Sequence, residues 1–187
     1  MNILSLQRSA SSSLILLAAL LGSQAAYAQT LGKPEYVASK GRIGDVYKAD
    51  KAACNSLAGN AKDICVEEAK AKDRIALAEL EYSYTGKRKD QDRIVSVKAD
   101  GTYAVAKERC DDKAGNDKAV CVKEAKAVHI KALADLKLSQ RVVAAKTDAR
   151  DDKRDADYKV AIEKCDALAG DAKSACVLQA KAMAGKT

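Results

Sequence analysis

Three cysteine pairs recur in one register along this 187-residue chain: Cys54 and Cys65, Cys110 and Cys121, Cys165 and Cys176. Tyr47, Tyr103 and Tyr158 each stand seven residues ahead of the first cysteine of a pair. Between the two cysteines comes Ala-Gly followed by Asn or Asp, at 58–60, 114–116 and 169–171. After the second comes Val-x-x-Ala-Lys-Ala, at 66–71, 122–127 and 177–182. The signature Y-x6-C-x4-G-x5-C-V-x2-A-K-A repeats after 56 residues and then 55 (Cys54 to Cys110, Cys110 to Cys165). Internal repetition at such a period points to one supersecondary unit used three times, and it limits the fold more than any other feature.

The unit reads as helical. Tyr158, Ile162, Cys165 and Leu168 recur at three-to-four spacing before the glycine, and Cys121, Ala125, Val128 and Ala132 do so after it. Gly59, Gly115 and Gly170 fall where a first helix would end in a left-handed cap. Asn60, Asn116 and Asp171 follow at once as preferred N-caps of a second helix. The expected unit is therefore an αα-hairpin with a two-residue turn. Composition agrees. Alanine makes up roughly a fifth of the chain, well above everyday usage. There is one Pro, with no Phe and no Trp, so the β-branched and aromatic residues that pleated sheets favour are scarce.

Each cysteine pair is symmetric about its Gly-Asn or Gly-Asp turn, which puts both members at one height on facing apolar stripes. A disulfide needs Cα atoms about 4.4–6.8 Å apart, against a usual helix spacing of about 8–10 Å. Neighbouring alanines such as Ala53, Ala58, Ala61 and Ala69 permit the closer approach. The spacing predicts Cys54–Cys65, Cys110–Cys121 and Cys165–Cys176 within hairpins. An alanine-rich seam buries little, at about 0.8 kcal/mol per CH2, so the bridges matter to whether a hairpin stays shut. Tyr47, Tyr103 and Tyr158 share the cysteine stripe and are expected to pack at the open end of each seam.

Residues 1–28 read as a secretory signal peptide. Arg8 precedes an apolar run from Leu14 to Leu21, and Ala26-Tyr27-Ala28 offers a cleavage site before Gln29. The run is too short to span a bilayer, which takes about 20 residues. Export to the periplasm or beyond favours disulfides for the cysteines. Residues 29–44, with Pro34, Gly41 and Gly44, read as a flexible leader, and the last residues, 184–187, are expected to fray. Hairpin repeats follow over 45–84 and 87–138, then a connecting helix and the third hairpin over 139–187. Turns are marked at Gly59, Gly86, Gly115 and Gly170, yet no Gly or Pro lies between Gly115 and Gly170. Either a new helix starts at Ser139 or Thr147, or one helix of ~50 residues, about 75 Å long, runs through. The mixed charges of 146–159, with Asp155 four residues before Lys159, suit a solvated helix and favour the second.

Chemistry is thinly represented. Zinc sites favour paired ligands two to four residues apart, whereas these cysteines are far more widely spaced and the chain has one histidine. We expect no metal and no cofactor. His129 sits in an Ala, Val, Ile and Lys stretch without a nucleophile in register and reads as an ordinary helix residue. Acids are scattered over polar faces, phosphate-binding glycine motifs are missing, and no catalytic residues are expected. The net charge of +7 would be 7 − 1 = +6 without Arg8, and its lysines are interleaved with acids such as Asp151, Asp152, Asp155 and Asp157. That balance permits weak polyanion contact by counterion release, but no specific nucleic-acid reading.

The signal sequence, the A-G-[ND] turns between paired cysteines and the C-V-x2-A-K-A tracts resemble a group of small exported bacterial Ala/Lys-rich repeat proteins. These are of unknown function and often labelled TolA-like or cell envelope biogenesis protein. The resemblance covers nearly the whole chain, and its label reflects the long Ala/Lys/Asp/Glu helix of TolA, which links inner and outer membranes. It implies a non-enzymatic structural, scaffold or partner-binding role in the cell envelope, with an unidentified envelope protein as partner. A weak polyanion or envelope-surface binder and a stress-protective hydrophilic protein are the alternatives. The fold expected is all-α: three disulfide-pinned hairpins joined by long helices, elongated or loosely bundled.

Overall fold

The computed structural model describes residues 31–186; the signal peptide expected over 1–28, with its cleavage before Gln29, lies outside them. Among the described residues there are five α-helices and no strand: α1 (Lys33–Ala53), α2 (Gly59–Thr85), α3 (Arg88–Cys110), α4 (Gly115–Asp166) and α5 (Gly170–Met183). The three disulfides pair as the spacing predicts, each with Cα atoms 5.6–5.7 Å apart. They define hairpin 1 (α1–α2), hairpin 2 (α3 with the first half of α4) and hairpin 3 (the second half of α4 with α5).

The turns differ from the sequence expectation. Each first helix stops at or next to its cysteine, and a short tight turn leads to an extended alanine, Ala58, Ala114 or Ala169. The glycine is then the first residue of the second helix, not the cap of the first, with φ of 55–57° in all three repeats. Glycine tolerates this left-handed backbone, which swings an extended approach into a helix. Asn60, Asn116 and Asp171 consequently lie inside the second helix instead of capping it. Asn60 turns sideways, and its Nδ2 donates to the Glu108 carbonyl of α3 at 2.9 Å.

The flexible leader is also corrected. Residues 33–44 form the first three turns of α1. Pro34 sits in the opening turn, where its missing N–H costs nothing. Gly41 and Gly44 face open space and weaken the helix only through propensity. What holds this end is tertiary: Tyr36 packs against Tyr84 with the rings tilted by 32° and centroids 4.5 Å apart, and its hydroxyl donates to Glu81 Oε2 at 2.7 Å. At the other terminus Lys186 does not fray away. It pairs with Asp155 at 3.1 Å.

Neighbouring helices run antiparallel throughout. α2 reverses into α3 at Gly86, where the Thr85 hydroxyl donates to the buried Asp90 carboxylate at 2.6 Å. A carboxylate in the first turn of α3 also suits that helix's positive end. Between 115 and 170 no reversal occurs. α4 is one helix of 52 residues, about 78 Å at 1.5 Å per residue. Its first half packs on α3, with Arg88 Nη2 donating to Ser139 Oγ at 3.3 Å. Its second half carries hairpin 3, upside down relative to hairpins 1 and 2.

Each helix touches only its neighbours in sequence; among the described residues α1 does not reach α3, nor α2 reach α4. Hairpins 1 and 2 thus form a single layer four helices wide. Its buried apolar side chains are cysteines and alanines together with Leu80. At the α2–α3 crossing, Gly101 lies against Ala71, so that a Cβ on Gly101 would stand 2.9 Å from Ala71 Cβ.

Candidate functional site

Each hairpin opens, beyond its disulfide, into a shallow groove walled by both helices. In hairpin 1 the groove of ≈ 310 Å³ includes Arg42, Tyr47, Asp50, Ala69 and Asp73. In hairpin 2 a groove of ≈ 480 Å³ includes Lys98, Tyr103, Ala106, Ala125 and His129. Hairpin 3 has one of ≈ 430 Å³ with Lys153, Tyr158, Ala161, Ala180 and Ala184. Residue for residue these are equivalent positions: a shift of 56 carries every lining residue of the first groove onto the second. A further shift of 55 carries the second onto the third at every position that falls within the described residues.

Three features persist through the shift. A tyrosine forms the wall (Tyr47, Tyr103, Tyr158), an alanine from the Ala-Lys-Ala tract forms the floor (Ala69, Ala125, Ala180), and a cation stands on the first helix (Arg42, Lys98, Lys153). The tyrosine and alanine follow from helical spacing: both lie on the seam that the disulfide closes, the tyrosine about two turns and the alanine about one turn away. All three tyrosines are half-buried. They wall the grooves and do not fill a core.

The tyrosine faces are used differently. Tyr103 stacks on His129 with centroids 5.1 Å apart and an interplanar angle of 24°. The His129 Nε2 lies 2.6 Å from Asp100 Oδ1. An imidazole that sequence pattern alone makes an ordinary helix residue is therefore part of a groove. The signal that would have found it is positional, since His129 and Tyr103 occupy facing heights on the two strands of a hairpin. Over Tyr158 stands the Lys186 ammonium, 5.1 Å from the ring centre, a cation–π contact. At the place of His129, hairpin 1 has Asp73.

Ion pairs surround the grooves. Lys98 pairs with Glu79 at 2.7 Å, Arg109 with Glu68 at 2.7 Å, and Lys72 with Asp50 at 3.4 Å. Lys70, in the first Ala-Lys-Ala tract, is held charged above its ordinary range by its hydrogen bond to Glu67. Such exposed pairs are worth at most about 1 kcal/mol each. Their effect is to mix both signs over the grooved surface.

No free thiol remains among the described cysteines. Among the described residues no group of three or more His, Cys, Asp or Glu side chains converges as a set of metal ligands. Nor is any described helix long and apolar enough to cross a membrane. What the site offers chemically is aromatic and apolar contact edged by charge. Compared with protein-family models, curated proteins and solved structures, the chain matches none.

Proposed function

We propose that this chain is a non-enzymatic, exported helical spacer and binding module of the cell envelope. The observation that carries the reading is a helix of 52 residues bearing disulfide-closed hairpins on both of its halves. Such a part holds two binding elements at a fixed separation, because a helix transmits distance where a flexible linker averages it. Disulfides within helical hairpins suit an oxidising compartment, in keeping with a signal peptide over 1–28. The grooves supply tyrosine faces and alanine floors, surfaces that contact a partner without acting on it. Of the acids that line them, Asp50 is held in an ion pair with Lys72.

Two measurements test this together. Fractionation followed by mass determination of the N-terminus is expected to find the chain outside the cytoplasm, beginning at Gln29. Capture from envelope extract, with the disulfides intact, is expected to return a defined partner that survives moderate salt. Cytoplasmic retention with reduced cysteines would end the envelope reading. Retention on heparin that collapses with ionic strength, with no protein captured, would favour the polyanion reading in its place.

A further inference from the structure

A single helical layer, with neither face covered, is half of an ordinary domain, which stacks two layers around a shared core. The grooved face here is continuous. Lys72 lines both the hairpin 1 groove and the furrow between α2 and α3, while Thr102 and Ala106 line both that furrow and the hairpin 2 groove. All three depressions therefore lie on the same side of the layer. Large apolar side chains stand exposed on it: Val46 is 60% and Val128 58% accessible, with Val95 at 43%. Tyr47 and Tyr103 lie between them.

We infer that this face is covered by a second copy of the chain. Two observations favour that occupant. First, the face carries both signs of charge, with Arg42, Lys98 and Arg109 close to Asp50, Asp73 and Glu68. A mixed surface meets its own copy without net repulsion, whereas a polyanion or polycation partner calls for one dominant sign. Second, hairpins 1 and 2 run the same way and carry grooves in the same register. A two-fold axis parallel to the helices, lying over the α2–α3 furrow, sets hairpin 1 of each copy against hairpin 2 of the other. That is the self-complementary arrangement of a closed dimer. It sets α1 of one copy against α4 of the other and α2 against α3, so the exposed Val46, eight residues before Cys54, meets Val128 of the other copy, seven residues after Cys121, at nearly the same height on both sides of the axis. An axis across the helices would instead set hairpin 1 against hairpin 1. With the axis along the helices, both copies of hairpin 3 project from the same end. The inference stands on packing alone and does not depend on the proposed export.

Sedimentation velocity on the oxidised protein over a concentration series tests it. The expected result is a reversible species of twice the monomer mass. Val46→Glu or Val128→Glu should weaken association by about tenfold or more, as charges placed in a desolvated interface do. Val37→Glu, an equally exposed position that lines none of these grooves, should leave it unchanged. Circular dichroism and thiol titration confirm that each variant keeps its helices and disulfides. A photo-crosslinking residue at position 46 should join hairpin 2 of the second copy. A monomer up to about 100 μM, association indifferent to both glutamates, or crosslinks that reach only another protein or only hairpin 1 would each overturn the inference.

Discussion

Cys54, Cys110 and Cys165 are the most deeply buried side chains of the fold, and most of the other buried apolar positions are alanines. With so little apolar volume, single contacts carry unusual weight. Gly101 is the clearest. Gly101→Val forces a branched side chain against Ala71, whose Cβ already lies 2.9 Å from where a Cβ would be. Helices α2 and α3 must then separate, and the expected loss is about 1–3 kcal/mol, read as a lowered urea midpoint. Tyr36 makes a different prediction. The Glu81 carboxylate accepting its hydroxyl proton holds its ionisation above the ordinary tyrosine range. A group whose folded pKa is raised contributes stability fully below its unfolded pKa, about 10, and loses it as pH rises through the folded value. Tyr36→Phe should therefore remove from an absorbance titration a tyrosine that ionises above the ordinary range, and wild-type α1 should loosen only at such high pH. At this scale the disulfide partners were legible because covalent geometry restricts which cysteines can meet. The glycine's role was not. A residue at φ near +56° serves as readily to open one helix as to close another, and only the backbone path distinguishes the two. Likewise Pro34, Gly41 and Gly44 suggest a loose leader by composition, and Tyr36 on Tyr84, a contact between residues far apart in sequence, overrides them.

At the level of elements, the two junctions between repeats are the informative comparison. Thr85-Gly86-Lys87 reverses the chain after hairpin 1, and the equivalent residues after hairpin 2 are Arg141-Val142-Val143, which continue the helix. The packing face changes with the turn. Gly101 of α3, which meets Ala71 of α2, and Ile94 and Val97 on the same helical stripe are replaced in α4 by Ala156, Ala149 and Asp152. A charge and the loss of the close-approach glycine leave hairpin 3 without a neighbouring hairpin. Missing turn residues were visible in the sequence, so the continuous helix was expected; the altered face could be recognised only once α2 was seen to pack there. The disulfides should accordingly differ in importance. Each closes a loop of similar length, worth about 3 kcal/mol in the chain-entropy account. Hairpins 1 and 2 brace one another through α2 and α3, while among the described residues α5 touches α4 alone. Cys165→Ser with Cys176→Ser is expected to release α5, seen as fast amide exchange over 170–183 while the rest stays protected. Cys54→Ser with Cys65→Ser should lower the melting temperature with a smaller local effect. Equal exchange in the two variants would mean that hairpin 3 has support beyond its own seam.

The whole molecule is a layer of two hairpins with an arm that ends in a third. Its length follows from α4, at about 78 Å, and from the absence of contacts, among the described residues, between α5 and any helix but α4. This architecture separates two roles that a compact bundle would merge. The layer presents a broad grooved face, and the arm sets the distance of hairpin 3 from it. Whether the arm depends on the junction or on the packing face is open to a direct trial: replacing Arg141-Val142-Val143 by Thr-Gly-Lys. If the turn residues alone governed the path, hairpin 3 would fold back beside α4 and the maximum dimension in small-angle scattering would contract to that of a six-helix layer. The face that would dock argues otherwise: Ala156 stands where Gly101 permits the close approach to Ala71, and one turn away Asp152 and Lys131 stand where α3 and α2 have Val97 and Ile75, so docking would desolvate a charge pair in place of an apolar contact. The expected product is a hinge: helicity nearly retained, a broader distribution of distances, and new proteolytic cleavage next to position 142. Adding Asp152→Val with Lys131→Ile should then move the distribution towards the compact form, since the two together restore the residue types that α3 and α2 present to one another.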